Sequence, residues 1–389
     1  MEQQPLFDYS KVPSPCYVID EIKLEENLKI LHHLEEASGA KILLALKAFS
    51  MFKLAPLMMR YLSGVCASGL HEATLGREEF NKEVHTYCAA FIPDDFNQIL
   101  HQSNHLVFNS FNQWEKYKQT CLSENTRLAL KGERRKSFGI RINPEHCEST
   151  TPMYDPCSPG SRMGVTANNF KYQDLTGIDG IHFHTLCEQG FDPLARTLDV
   201  IEENFSEYLH QMSWVNFGGG HHITADDYDR ESLIKRIIAF KQKYNVNVYL
   251  EPGEAVALNA GYFVTEVLDV VQNGMPIAIM DSSATCHMPD VLEMPYRPEL
   301  HEESKTGSYT YRLGGPSCLA GDIIGDYIFN KPLLLHDRVC FKNMAIYTMV
   351  KNTTFNGINL PSIAILNTKS HTINIIKQFN YQHFKQRLS

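Results

Sequence analysis

Five short motifs stand in order along the chain: ALKAFS around Lys47, HFH ending at His184, NFGGG ending in Gly218, Gly219 and Gly220, EPGE from Glu251 to Glu254, and GPSCLAGD, which carries Cys318 and Asp322. A lysine amine can condense with an aldehyde, and desolvation at an apolar strand end favours its neutral, nucleophilic form. Backbone N–H groups of a glycine run can approach a phosphate closely. A carboxylate at position 251 can hold the proton on a pyridine nitrogen, and a protonated ring is the better electron sink. A thiol presented on a glycine-rich turn can serve as a general acid or a nucleophile. A lysine, a histidine, a glycine run and a glutamate in this order can hold a flat, phosphorylated, aromatic aldehyde, which describes pyridoxal 5'-phosphate.

Taken singly, each motif has an ordinary explanation. Lys47 can be a solvated charge that snorkels out of a strand end, and GGG can be a flexible turn. Glu251 can cap the turn before Pro252, and Cys318 can be a small loop residue. His182 and His184 lie two apart and share one strand face. Such an H-x-H pair can bind zinc, with His221 and His222 as further ligands, in a metal hydrolase. No H-E-x-x-H motif or dense acidic cluster accompanies them. The reading preferred here has no metal, with His184 flat against the cofactor ring and His182 in support.

The elements that must position these groups are legible in the hydrophobic pattern. Strand-like runs at 42–47, 64–68, 85–90, 105–109, 138–143, 180–184, 214–218 and 247–251 alternate with amphipathic stretches, including 52–62, 70–80, 113–122, 194–212 and 230–244. Short apolar strands joined by helices imply parallel pairing through crossovers. About eight such units in roughly 250 residues make a (β/α)8 TIM-like barrel, whose chemistry lies at the carboxyl ends of its strands. Lys47, His184, the glycine run and Glu251 all fall at predicted strand ends, and Ser68 ends the second predicted strand. Leu24, Leu28, Leu31 and Leu34 share a helical face. The Pro-, Ser- and Thr-rich stretch 143–177 reads as a loop over the strand ends. Beyond Glu251, the runs FVTEVLDVVQ, PIAIMDSS, HDRVCF and AIYTMV are strand-like without long intervening helices. The fold class is therefore α/β: a barrel over residues 22–259 and a second, mostly β domain formed by 1–21 and 260–389.

The 389 residues carry a net charge of -9, with 43% apolar and 21% charged residues. That composition is ordinary for a globular enzyme, and the acidic balance speaks against nucleic acid as a partner. The ten cysteines are scattered, without a C-x-x-C pair. No secretory signal and no membrane-spanning run is visible, so a cytoplasmic protein with reduced thiols is expected.

These motifs, in this order, resemble the fold-III group of pyridoxal phosphate enzymes: the ornithine, arginine and diaminopimelate decarboxylases and, more distantly, alanine racemase. The resemblance runs from about Ser14 to Gly357. It implies that Lys47 carries the cofactor, His184 stacks on its ring, Gly218–Gly220 cradle the phosphate and Glu251 pairs with the pyridine nitrogen. Ser68 joins the cofactor-binding set. It further implies that Tyr347 contacts the phosphate and that Cys318 serves the active site of the partner subunit in a head-to-tail homodimer. Two departures narrow the assignment. Glu254 stands where ornithine and diaminopimelate decarboxylases read an Arg in E-P-G-R, and the family's G-P-x-C-D becomes GPSCLAGD, with the acid displaced to Asp322. With the run DSSATCHMPDVLEMPYRP (residues 281–298), these features resemble the branch that decarboxylates carboxynorspermidine and carboxyspermidine in polyamine biosynthesis.

The substrate implied is a small amino acid whose tail bears two ammonium groups, which need charged partners once desolvated. Glu254 and Asp290 are the expected partners, with Asp281 and Asp322 behind them. Two alternatives are a diaminopimelate decarboxylase, in which Arg162 or Arg297 would have to offset Glu254, and a non-catalytic regulator of the same fold.

Overall fold

The computed structural model of the protein describes residues 5–149 and 151–389. Its contacts divide the chain into two units, Asn27–Val256 and the combined segments Met1–Glu26 and Ala257–Ser389. After β1 (Cys16–Asp20) and the helix Glu21–Ser38 come β2 (Lys41–Ala45), β3 (Gly64–Ala67), β4 (Glu83–Cys88), β5 (His105–Phe108), β6 (Ser137–Asn143), β7 (Val165–Thr166), β8 (Gly180–His182), β9 (Trp214–Asn216) and β10 (Asn247–Leu250). The order β5-β4-β3-β2-β10-β9-β8-β6, with β6 pairing back to β5, closes a ring in which every pairing is parallel. This is the expected TIM-like barrel. β7 pairs in parallel with the end of β6, Val165 beside Ile142 and Thr166 beside Asn143, so the 143–177 insertion returns at the carboxyl end of that strand.

The ring closes around a core in which size is matched across strands. A Cβ at Gly139 or Gly180 would lie 2.4 or 2.1 Å from the Trp214 ring. The two glycines therefore make room for the indole, which packs with Leu43, Val107 and Tyr249 and donates to Ser137 Oγ at 2.8 Å. Outside the ring, Leu24, Leu28, Leu31 and Leu34 of the first helix are all buried. Each such side chain contributes about 1.5–3 kcal/mol through burial. The expected helix at 52–62 is shorter than its pattern suggested. A 3-10 turn (Phe52–Leu54) leads into Ala55–Met58, with Pro56 in the first turn.

The other unit is β-rich, as the texture of the sequence indicated. It contains β11 (Gly261–Asn273), β12 (Met275–Met280), β13 (Tyr309–Gly314), β14 (Ile323–Phe329), β15 (Arg338–Lys342), β16 (Ser362–Asn367) and β17 (Thr372–Lys377). The sheet runs β14-β13-β12-β11-β1-β16-β17, with β15 also on β11. β1, expected outside the barrel, lies between β11 and β16. One strand expectation fails: AIYTMV is a turn. Tyr347 adopts φ +53°, and its carbonyl accepts from the N–H groups of Val350 and Lys351 at 3.0 Å. The β-propensity of Ile346, Tyr347 and Val350 loses to tertiary packing, because Met344 N–H bonds Gly261 O at 3.0 Å and Ala345 fills the space over Gly261.

Candidate active site

The expected site residues of the barrel unit gather at the carboxyl ends of β2, β8, β9 and β10. Lys47 stands two residues past β2, in a turn closed by Ala48 N–H on Ala45 O at 3.1 Å. Its Nζ lies 3.4 Å from His184 Nε2. The lysine is exposed, and leaving the strand carries the amine out of the core. The turn packs against the EPGE motif. Ala45 N–H donates to Pro252 O at 3.0 Å, and a Cβ at Gly253 would lie 2.5 Å from Ala48 Cβ.

His184 is oriented by the glycine run, its Nδ1 lying 3.1 Å from Gly219 O and 3.2 Å from Gly219 N. Burial, and then the positive charges of Lys47 and Arg141, hold its pKa well below the usual histidine value. A neutral ring is what stacking on a protonated pyridine needs, since two cations face to face would repel. Gly218 and Gly220 adopt φ +70° and +84°. Cβ atoms at Gly218, Gly219 and Gly220 would lie 2.3, 2.2 and 1.8 Å from the carbonyl oxygens of Phe183, Glu251 and Leu186. No side chain fits at any of the three, and the run packs directly on the neighbouring strand ends.

Glu251 follows β10. Its Oε1 accepts from Asn216 Nδ2 at 2.7 Å, and its Oε2 lies 3.3 Å from His182 Nε2. Burial pushes the carboxyl up, but His182 and Asn216 outweigh it and hold the group below the usual carboxylate range. Burial lowers His182 in turn, so the neutral ring donates Nε2–H to an ionised Glu251. Ser68, exposed at the end of β3, has its N–H on Glu72 Oε2 at 2.6 Å. Glu254 is engaged by His222, whose Nε2 lies 3.3 Å away.

Cys318, Tyr347, Asp281, Asp290 and Asp322 belong to the other unit. Asp322 is buried, accepting from Ser283 Oγ at 2.8 Å and Thr285 N at 3.1 Å. Asp281 accepts from Thr265 Oγ1 at 2.7 Å and Glu266 N at 2.9 Å. Both carboxylates tie loops of their own unit. Asp290 and Glu293 hold the Lys351 ammonium between them, Glu293 at 2.7 Å.

Arg141 is a site neighbour that the motifs did not disclose, and Asn216, the first residue of NFGGG, is one to which the sequence reading gave no role. Buried Arg141 donates to His184 O at 3.0 Å and lies over the Tyr87 ring. Its sequence signal was period-two alternation, since Gly139, Arg141 and Asn143 share the inward face of β6.

A closed parallel barrel with a lysine, a neutral histidine, an obligatory glycine run and an ionised glutamate at its strand ends defines a pyridoxal phosphate enzyme of fold type III. The glycines that no side chain could replace, the exposed amine and the charged carboxylate fit that cofactor. The pyridoxal-dependent decarboxylase, C-terminal sheet domain family matches residues 16–345, and the chain belongs to it. The chain is 41% identical over 97% of its length to carboxynorspermidine/carboxyspermidine decarboxylase of Campylobacter jejuni, covering 99% of that protein. It is 42% identical over 97% of its length to carboxyaminopropylagmatine decarboxylase of Synechocystis sp., covering 96% of it. A crystal structure of carboxynorspermidine decarboxylase from Campylobacter jejuni, complexed with norspermidine, superposes with a TM-score of 0.87 at 40% identity, over 97% of this chain and 100% of that one. Among the described residues no helix is long and apolar enough to cross a membrane.

Proposed function

We propose that the chain removes the α-carboxylate of carboxynorspermidine, giving norspermidine, and of carboxyspermidine, giving spermidine. The observation that carries this reading is the near full-length identity to the Campylobacter jejuni enzyme, together with a barrel end equipped for the family's cofactor. A second reading, carboxyaminopropylagmatine as substrate, is favoured by the equally similar Synechocystis protein. The two differ in the end of the tail, a primary ammonium against a guanidinium.

When bound, pyridoxal phosphate takes up the electron pair left on the α-carbon as CO2 departs. The residues divide the remaining work. Lys47 would hold the cofactor through its aldehyde carbon. Glu251, kept ionised by Asn216 and His182, holds the proton on the ring nitrogen. His184 would back the ring face, and the glycine run, with Gly218 N–H held by Asn216 Oδ1 at 2.8 Å and Gly219 N 3.2 Å from His184 Nδ1, would let the phosphate approach the backbone. Cys318, supplied by the second subunit of a homodimer, would return a proton to the α-carbon. Asp290 with Glu293 already grips a primary ammonium, that of Lys351; the substrate tail would take its place.

Glu251→Gln keeps the size of the side chain and removes its charge, so kcat is expected to fall about 10²–10³-fold, as for the loss of one preorganised electrostatic contact. Steady-state kinetics on protein of measured cofactor content checks this, and an unchanged kcat would show that the charge is not used.

Mass spectrometry of the products from a mixture of carboxynorspermidine, carboxyspermidine, carboxyaminopropylagmatine, meso-diaminopimelate, ornithine and arginine tests the assignment. Norspermidine and spermidine as the main products support it. Aminopropylagmatine as the main product selects the second reading, and lysine alone or no product overturns both.

A further inference from the structure

The loops that follow β8, β9 and β10 are laced together beside Lys47, all within the barrel unit. Gln189 N–H bonds Gly220 O at 3.0 Å, His222 N–H bonds Gln189 O at 3.1 Å, and Glu251 N–H bonds Gly218 O at 2.7 Å. This lacing brings Glu188, His222 and Glu254 to one place. A carboxylate oxygen of each glutamate and a ring nitrogen of the histidine lie within 4.8 Å of one another. Glu254 follows Gly253, which packs against Ala48 in the Lys47 turn. Glu188, Glu254 and Lys47 all lie near enough to the Cys187 thiol for their charges to act on it.

This lining suits a cation. Asp227 adds a third negative charge at the His222 ring. The side chain that meets Glu254 is an imidazole rather than a lysine or an arginine. Its Nε2 is buried, 3.3 Å from Glu254 Oε2, and makes no hydrogen bond. Two carboxylates this close repel one another, and a donor that carries its own positive charge relieves that repulsion. The tails of carboxynorspermidine, carboxyspermidine and carboxyaminopropylagmatine supply such a donor. All three carry a secondary ammonium three bonds from the α-carbon and differ only beyond it. A secondary ammonium has two N–H donors at the tetrahedral angle. With charge-assisted N–H···O distances of about 2.8 Å, its two acceptors stand about 4.6 Å apart. Oxygens of Glu188 and Glu254 that lie within 4.8 Å of each other can meet both.

We propose that Glu188 and Glu254 seat this secondary ammonium, one carboxylate for each N–H, and thereby select substrates that carry an amine at that position. Ornithine, arginine and meso-diaminopimelate have a CH2 there, which would desolvate the two carboxylates without giving them a donor. The seat rests on the functional reading above and is independent of which of the three tails is preferred.

The test is steady-state kinetics of the cofactor-loaded protein on carboxynorspermidine and on its isostere with CH2 in place of the secondary amine. The wild-type protein should favour carboxynorspermidine about a hundredfold or more in kcat/KM, a readout that needs no variant. Glu188→Gln should cut kcat/KM for carboxynorspermidine about ten- to a hundredfold, the range for losing one hydrogen bond to a charged group. The loss should fall on KM, with the cofactor absorbance unchanged, and should narrow the preference over the isostere by the same factor. Glu254→Gln should act in the same direction, and the double variant should lose most of the preference. A wild-type protein that turns over the two compounds equally overturns the seat. So does a Glu188→Gln protein that keeps its KM, or one that loses activity on both compounds to the same extent. A divalent metal retained by the purified protein and lost in Glu188→Gln would assign the carboxylates to an ion and overturn it as well. A wild-type protein that decarboxylates none of the three polyamine precursors instead fails the functional reading, and the seat with it.

Discussion

Lys47→Ala is expected to abolish turnover while leaving a folded protein that still binds the cofactor non-covalently. The side chain is exposed in a turn after β2, and its amine lies 3.4 Å from His184 Nε2. Removing it leaves no unpaired buried group and no cavity, so the fold loses little. On the proposed function the chemistry would lose the amine that carries the cofactor, a covalent role rather than one contact. Two measurements check this. Turnover should vanish, and borohydride reduction should no longer fix cofactor mass to the peptide that carries residue 47. Full turnover in the variant would refute the role, and fixation at another lysine would relocate it.

The second large effect is expected at Cys318. Of the ten cysteines it is the exposed one, the other nine being buried or half-buried. The turn that carries it is held from within its own unit: Asp322 N–H bonds Leu319 O at 2.9 Å, Gly315 N–H bonds Asp322 O at 2.8 Å, and Cys318 N–H bonds Asn356 Oδ1 at 2.7 Å. Asp322 is in turn fixed by Ser283 and Thr285. A rigid turn that presents a thiol to solvent suits a group delivered to another subunit's site. Cys318→Ala should lower kcat about 10²–10⁴-fold, the usual worth of a positioned general acid, with cofactor binding and melting temperature unchanged. Mixing this variant with Lys47→Ala separates the two residues onto different chains. If sites are shared across a dimer, one site in the mixed dimer regains both groups and activity returns. An unchanged rate for Cys318→Ala alone would remove the thiol from the reaction.

The barrel was legible because its signal is local. Strands such as 41–45 and 105–108 are apolar runs bounded by amphipathic helices, and period and length suffice to read them. The strand-end motifs were legible for a related reason. Gly218–Gly220 and Gly253 are glycines because neighbouring backbone and side chains lie too close for a Cβ, so the constraint is written in the residue type itself. Where the signal was propensity alone, it failed: AIYTMV reads as a strand and is a turn, since contacts with Gly261 decide its conformation.

The sequence by itself determined the barrel, the β-rich companion unit, the family and the set of groups able to hold an aldehyde, a ring and a phosphate. Tertiary structure alone decided the partners of the charged groups. Glu251 is ionised because Asn216 and His182 meet it from other strands. Glu254 faces His222, Asp290 faces Lys351, and Asp281 and Asp322 tie loops. A carboxylate's role depends on which positive or donor group lies within a few ångströms, and those neighbours lie between 16 and 69 residues away in the sequence for Glu251, Glu254, Asp281, Asp290 and Asp322. Spacing along the chain carries no record of such pairings, because electrostatic partners are chosen by distance in space.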